Sequence, residues 1–371
     1  MNNSITILGQ LLNILPKYKF NQFVGQHKAD RYSKTMTSWS QLGILLYAQA
    51  TGKDSLREIE TGLNTHDTLL YHLGIKSVAR SSLSYTNNNR SYEIFEKLFY
   101  ALLGQCKEVA FGNQQFKFDT PLYIVDSTTV TLALSLFDWA KYSKAKGAIK
   151  LHTILDSTTM VPEIIRISLG DKSDITAAKE INWNIIKKGS IIVFDRGYID
   201  YKWWHEFDQK EVTFVSRTKK NQNIFVIGQH KIGALEKGIL ADEKVMFGSY
   251  DAFDKYEKDL RRIRYWDEET QKEYEFLTNN FELKAKQIAD IYKNRWQIEL
   301  FFKWIKQNLK IKTFLGTSRN AVLSQIWIAM IYYLLLSYIK FQTKFSRSLL
   351  ELTRMIHETL MFKRSLIDLY R

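Results

Sequence analysis

The chain has 371 residues, 45% of them hydrophobic, with 53 Lys and Arg against 39 Asp and Glu for a formal charge of +14. With only 3 prolines and 17 glycines, this composition excludes a disordered or fibrous chain and leaves room for two or three folded domains with a sizeable core. The basic excess is spread along the chain and points to a polyanionic partner. The single Cys106 excludes an intramolecular disulfide framework and a Cys-based zinc site, and suits a reducing compartment.

The N-terminal stretch lacks a basic n-region and a small-residue cleavage site, so it does not read as a signal peptide. Residues 1–115 read as helical. Short apolar periodicities fall at Leu42–Leu46, Ser55–Leu63, His66–Leu73 and Tyr92–Leu103, with helix starts at Ser55 and Ser91. Lys28, Arg31, Lys34, Arg57, Lys76, Arg80 and Arg90 lie among them, which suits either a module that binds DNA ends or a plain helical scaffold. Cys106 is expected to be a small buried apolar residue.

The pattern changes near Pro121. Leu122–Leu132 is rich in β-branched residues, and Ile149–Leu155 and Val161–Leu169 flank Asp156-Ser-Thr-Thr as a hairpin. Ile175–Ile186 reads as a helix, followed by buried-strand candidates at Ser190–Asp195 and Val212–Ser216. Three strands, a helix and two more strands is the order of a ribonuclease-H-like sheet. Residues 220–283 alternate strand-like runs with charged turns, most clearly at Leu260–Trp266 and Lys272–Thr278, and read as a β-rich insertion. From about Leu283 the chain is helical. Ala321–Ile339 carries no charge and is long enough to span a bilayer. Ser324, Gln325, Ser337 and the charged chain around the segment suit a buried helix instead.

The expected fold is therefore α/β, a ribonuclease-H-like mixed sheet. Its parts are a helical DNA-end-binding domain (1–115), a first core segment (116–219), the β-rich insertion (220–283), and a core helix with C-terminal helices (284–371).

Chemistry concentrates in Ile291–Lys310. On one helix, Tyr292, Arg295, Glu299 and Lys306 fall within an arc of about 60°, beside an apolar stripe of Ile291, Ile298, Phe302, Ile305 and Leu309. A polar row at the rim of a core suits a site, although Arg–Glu pairs four apart are common on ordinary helices. Asp126 lies inside an apolar strand and Asp195 ends another. A carboxylate in either place is desolvated at a cost unless it is paired or binds a cation; a cap or an ion pair with Arg196 would also satisfy Asp195. Two such aspartates and a helical glutamate together match the converging oxygens that a hard divalent cation requires.

The spacing Tyr-x2-Arg-x3-Glu-x6-Lys, as Tyr292, Arg295, Glu299 and Lys306, resembles the signature of the YREK group of DDE insertion-sequence transposases. Asp126-Ser-Thr128 and Asp195-Arg-Gly-Tyr198 resemble that family's two aspartate motifs, in the right order. The resemblance covers about residues 120–340. It implies that Asp126, Asp195 and Glu299 are catalytic and bind Mg²⁺ (or Mn²⁺), for cleavage and strand transfer at the terminal inverted repeats of an insertion sequence. It implies that Arg295 and Lys306 neutralise DNA phosphates and that Tyr292 hydrogen-bonds one. It implies double-stranded DNA as partner, both element ends and target, and a homodimer in a synaptic complex; the compartment is cytoplasmic, without a membrane. The family's hairpin step uses an aromatic in the β insertion to stack on a flipped base. Counted from Leu277-Thr278, that position is Tyr274, with Trp266 on the facing strand as runner-up.

Arg217-Thr-Lys-Lys220, and Lys150 with Lys144 and Lys146 beside Tyr142, either grip the DNA backbone or are solvated turns. His152 reads as a core histidine, and Asp156, Asp171 and Asp174 as turn caps. Three alternatives remain open from sequence: a structure-selective nuclease without strand transfer, a non-catalytic basic DNA-binding protein, and a membrane protein anchored by Ala321–Ile339.

Overall fold

The computed structural model describes residues 5–76, 78–111, 120–141, 147–219, 221–230, 236–309 and 313–367. In chain order, helices α1 (Ile7–Ile14), α2 (Lys17–Gln26), α3 (Ser38–Ala50), α4 (Leu56–Asn64), α5 (Asp67–Leu70), α6 (Arg80–Asn89) and α7 (Glu93–Phe111) come first. Strands β1 (Leu122–Leu132), β2 (Gly147–Asp156) and β3 (Pro162–Leu169) follow, then α8 (Asp174–Lys179), β4 (Ile191–Phe194), α9 (Tyr201–Gln209) and β5 (Thr213–Arg217). Next come β6 (Ile224–Gln229), β7 (Ile239–Phe247), α10 (Tyr250–Lys255), β8 (Leu260–Asp267) and β9 (Lys272–Thr278). The chain closes with α11 (Ala285–Asn294), α12 (Trp296–Asn308), α13 (Arg319–Thr343) and α14 (Leu349–Thr359).

Two compact units emerge. One holds Met1–Gln115, Ala133–Trp139 and Lys303–Arg371; the other holds Phe116–Leu132 and Ala140–Phe302. The division differs from the four-part reading in a physically simple way. The C-terminal helices join the N-terminal ones because the first turn of α1, whose N–H groups lack intrahelical partners, donates to the far end of the chain. Ile7 N–H reaches the Phe362 carbonyl (3.1 Å) and Leu8 N–H the Leu360 carbonyl (2.9 Å).

Within the helical unit, start signals in the sequence work locally. Ser55 accepts a hydrogen bond from Glu58 N–H at the head of α4, and Ser91 from Glu93 N–H at the head of α7. The uncharged run lies inside α13, and 94% of its most apolar window is buried. An apolar helix buried all round is a core helix, and here it packs beside α7: Phe99 meets Trp327 at 5.3 Å, and the Cys106 thiol donates to the Leu334 carbonyl (3.5 Å). Burial pushes the Cys106 thiol up to about 12, so it is an inert apolar filler rather than a nucleophile.

In the second unit the described residues form one nine-stranded sheet of order β3-β2-β1-β4-β5-β9-β8-β7-β6. Strands β1, β2 and β3 pair antiparallel, while β4 and β5 run parallel to β1. This is the ribonuclease-H-like arrangement expected from the strand order. The β-rich segment does not stand apart. Strand β9 pairs antiparallel with β5, Val215 opposite Thr278 and Arg217 opposite Phe276, so β6 to β9 extend the same sheet.

Helix α9 is an element that the strand patterning conceals. It buries Trp203, Trp204 and Phe207 against Phe194 of β4 and Phe214 of β5. Further along, Arg261 of β8 is fully buried and clasps Asp242 of β7 with two hydrogen bonds of 2.7 Å. Its remaining Nη1 donates to the carbonyls of Asn280 and Leu283. One guanidinium thus ties the insertion to the chain that enters α11.

Candidate active site

The site is built on sheet register. On neighbouring parallel strands, Val125 of β1 is opposite Phe194 of β4. Asp126 and Asp195 are the next residues on each, so they stand side by side where adjacent strands lie about 4.8 Å apart. Asp126 Oδ1 accepts from Ser127 N–H (2.8 Å). Asp195 Oδ1 accepts from Gly197 N–H (2.7 Å), which realises the strand-end cap considered from sequence; Arg196 is exposed.

The third carboxylate arrives on α12. The expected continuous helix over 291–310 is interrupted at Arg295, which caps α11, and α12 begins at Trp296. Two three-residue turns mark the break, Arg295 N–H to the Tyr292 carbonyl and Ile298 N–H to the Arg295 carbonyl, a local tightening of the kind found at functional hinges. The break aims Arg295 at two acids at once. Its Nη1 meets Asp126 Oδ2 at 3.0 Å and its Nη2 meets Glu299 Oε1 at 2.7 Å. Burial opposes the Arg295 cation, but Tyr292, Glu299 and Asp126 outweigh it and hold the group above its ordinary value.

Asp126 behaves differently. Burial pushes its carboxyl up to about 6, and nearby Asp195 and Glu299 push the same way, against the Ser127 N–H and Arg295. The rise corresponds to about 3 kcal/mol against the charged form. A carboxylate kept at that cost, beside two others, demands positive charge.

Among the described residues, no three His, Cys, Asp or Glu side chains gather into a group that could hold a metal ion. A guanidinium occupies the space between Asp126 and Glu299. The donor set nevertheless fits a hard divalent ion, since it offers three carboxylates and no sulfur or imidazole.

Behind this centre runs a ladder of planar groups. Arg295 lies 5.8 Å from the Tyr292 ring, Tyr292 is 4.7 Å from Phe276, and Phe276 stacks on Tyr274 (6.2 Å, 6°). Arg217 sits 4.8 Å over the Tyr274 ring. The ladder edges a cavity of about 810 Å³, also lined by Tyr265 and Trp296. Tyr265 and Tyr274 are opposite each other on β8 and β9, while Trp266 pairs with Glu273. Side chains alternate faces along a strand, so Trp266 points to the other face and Tyr274 is the ring in the cavity. Sequence reasoning missed Tyr265, Phe276 and Trp296; the β8–β9 pairing register was the signal that would have found the first two.

Other sequence-derived candidates fall out variously. Lys306 stands on α12, about two turns after Glu299, half-buried. Lys150 is not offered to solvent as the DNA-gripping reading expects. Its ammonium bonds the Lys172 carbonyl (3.0 Å) and Asp174 (3.2 Å), and Asp174 also accepts from the Ser127 hydroxyl (2.7 Å). Lys150 therefore braces the residue next to Asp126. His152 is the core histidine expected, bonded to the Ser168 hydroxyl. Burial lowers it to about 4, so it is neutral at physiological pH. Tyr142, Lys144, Lys146 and Lys220 lie outside the described residues.

Acidic residues on adjacent strands of a ribonuclease-H-like sheet thus face a helix that carries a glutamate, with one guanidinium shared between strand and helix. The sequence match is more specific, for the Transposase DDE domain family model covers residues 117–335. A second model, a domain of unknown function, covers residues 3–76. A protein named as a transposase, y4zB of Sinorhizobium fredii, is 31% identical over 80% of this chain and 81% of its own length. The transposase named for insertion sequence element IS5377 of Geobacillus stearothermophilus is 26% identical over 73% of this chain and 70% of its own. A solved synaptic complex of piggyBac transposase with hairpin DNA aligns at a TM-score of 0.46 with 11% identity, over 95% of this chain and 77% of that one. The chain belongs to the DDE transposase family of insertion sequences, on the strength of the family model and the curated relatives.

Proposed function

We propose that this DNA transposase cleaves and rejoins the terminal inverted repeats of its element using Mg²⁺ (or Mn²⁺) held by Asp126, Asp195 and Glu299. The observation that carries the reading is the shared guanidinium. Asp126 and Glu299, 173 positions apart in the chain's numbering, meet one positive group, and Asp195 stands beside Asp126. When bound, the ions supply an activated water or 3′-hydroxyl and a stabilised leaving oxygen.

The chain's own residues bind and orient. Arg295, once free of the carboxylates, offers a planar fork suited to a phosphate, and Lys306 adds a second cation on the same helix. Tyr292 contributes a phenol donor beside them. The cavity edged by Tyr274 suits an unstacked base, and Arg217 over that ring suits the phosphate next to it. The helical unit binds element ends, and joining two ends calls for a homodimer with two active sites. The family and composition suit a cytoplasmic protein.

A donor duplex with free 3′ ends tests the rejoining step directly. Joined product is expected with wild-type protein and divalent metal; cut product alone, with no joining, would make the chain a structure-selective nuclease. In the same assay, Tyr274→Ala is expected to lower hairpin formation about tenfold, since stacking on one ring is worth about 1–3 kcal/mol per base, whereas Tyr274→Phe keeps the ring and most of the activity. Equal loss from both variants would assign Tyr274 a hydroxyl role instead.

A further inference from the structure

One loop of the helical unit is shaped by a single arginine. Arg90, at the end of α6, is only 6% exposed. Its Nε donates to the Ala29 carbonyl (3.1 Å), its Nη2 to the Met36 carbonyl (2.9 Å) and the Ser33 hydroxyl (3.0 Å), and its Nη1 to Gln41 (2.8 Å). It also pairs with Asp30 (3.1 Å), which in turn accepts from the N–H and hydroxyl of Ser38 at the head of α3. Every fork of the guanidinium is spent on residues 29–41. The sequence left Arg90 among cations that suit either a DNA-binding module or a plain scaffold; the structure makes it the mould for its neighbours.

The moulded loop, 27–36, is held in an unfavourable shape. Lys28 (φ 49°) and Tyr32 (φ 73°) both lie in the left-handed region, which side chains with a Cβ avoid. Such residues persist only where surrounding bonds enforce them, and they gather at functional sites. What this shape achieves is outward. Tyr32 is 87% exposed, with the Arg31 guanidinium 5.1 Å over its ring. Lys28 and Lys34 are exposed on either side. The loop's one acid, Asp30, is spent on Arg90 and Ser38, and among the described residues no carboxylate pairs with Lys28, Arg31 or Lys34.

We propose that loop 27–36 is the element of the helical unit that grips the phosphate backbone of duplex DNA. The Tyr32 hydroxyl and the Arg31 fork donate to phosphate oxygens, and Lys28 and Lys34 supply flanking charge. Arg90 acts as a positioning residue, pre-setting the loop so that little ordering is needed on binding. The proposal rests on reading the chain as a transposase that binds DNA through this unit, and it assigns that task to one loop within the domain of unknown function matched at residues 3–76.

Fluorescence anisotropy with the full chain, a short labelled duplex of random sequence and EDTA tests this. Tyr32→Gly is expected to bind about tenfold more weakly while melting no lower than wild type, because glycine adopts φ 73° without strain. Opposite movement of binding and stability is what a structural role would not produce. The triple change Lys28→Ala, Arg31→Ala, Lys34→Ala is expected to flatten the salt dependence by about 0.9 per lost phosphate contact. If both variants bind as wild type does, the loop assignment is overturned while the transposase reading stands. If the wild-type chain binds no duplex at all, that reading itself fails.

Discussion

Replacing Asp126 by asparagine is expected to lower metal-dependent DNA cleavage by about a thousandfold, keep DNA binding, and raise the stability of the metal-free protein. Asparagine keeps the shape and an acceptor oxygen but removes the charge that attracts a cation. Losses of 10²–10³ follow removal of one preorganised electrostatic contact elsewhere, so about 10³ is a conservative expectation for a ligand. The stability change runs the other way. The folded protein holds the Asp126 proton up to about 6, against a reference of 3.8, so this group's contribution is full below about pH 4 and is lost as pH rises through about 6. At pH 8 the wild type bears the cost of a buried charge and the variant does not, a difference of up to about 3 kcal/mol. Thermal melts in EDTA on both sides of pH 6 read it. A variant that melts lower at pH 8 and cleaves normally would make Asp126 a structural acid and remove it from the site.

The largest stability loss is expected far from the carboxylates. Arg261→Ala should cost about 3–5 kcal/mol, the usual consequence of leaving one partner of a buried ion pair uncompensated. Asp242 is 2% exposed and would lose both of its bonds with no solvent to replace them. The carbonyls of Asn280 and Leu283, which lead into α11, would lose their donor as well. Because Tyr292, Arg295 and Glu299 follow directly, cleavage should fall with stability, unlike at Asp126. Arg261→Met combined with Asp242→Leu removes both charges and should recover much of the stability. Chemical denaturation measures both variants, and a loss below about 1 kcal/mol for Arg261→Ala would mean that solvent reaches the pair.

Much of the catalytic half was legible because strand physics is local. Asp126 and Asp195 interrupt apolar runs, and an acid in such a place announces a cost that something must offset. The strand order gave the sheet for the same reason. What escaped depended on long-range choices. The break at Arg295 leaves no mark in residues 291–310, whose periodicity reads as one helix; it shows only when Asp126, from a distant strand, shares the guanidinium with Glu299. Lys150 and Arg90 look like surface cations in sequence, yet both are spent on internal partners that lie far along the chain. The β-rich insertion was legible as strands, but nothing in β9 announces that it will pair with β5.

The central claim is that Asp126, Asp195 and Glu299 form one cation-binding unit, and calorimetric titration of Mn²⁺ into the DNA-free protein tests it most directly. The expected result is saturable binding by the wild type, weakened at least about tenfold by each of Asp126→Asn, Asp195→Asn and Glu299→Gln. Unchanged Mn²⁺ affinity in any one of the three would remove that residue from the unit and contradict the account.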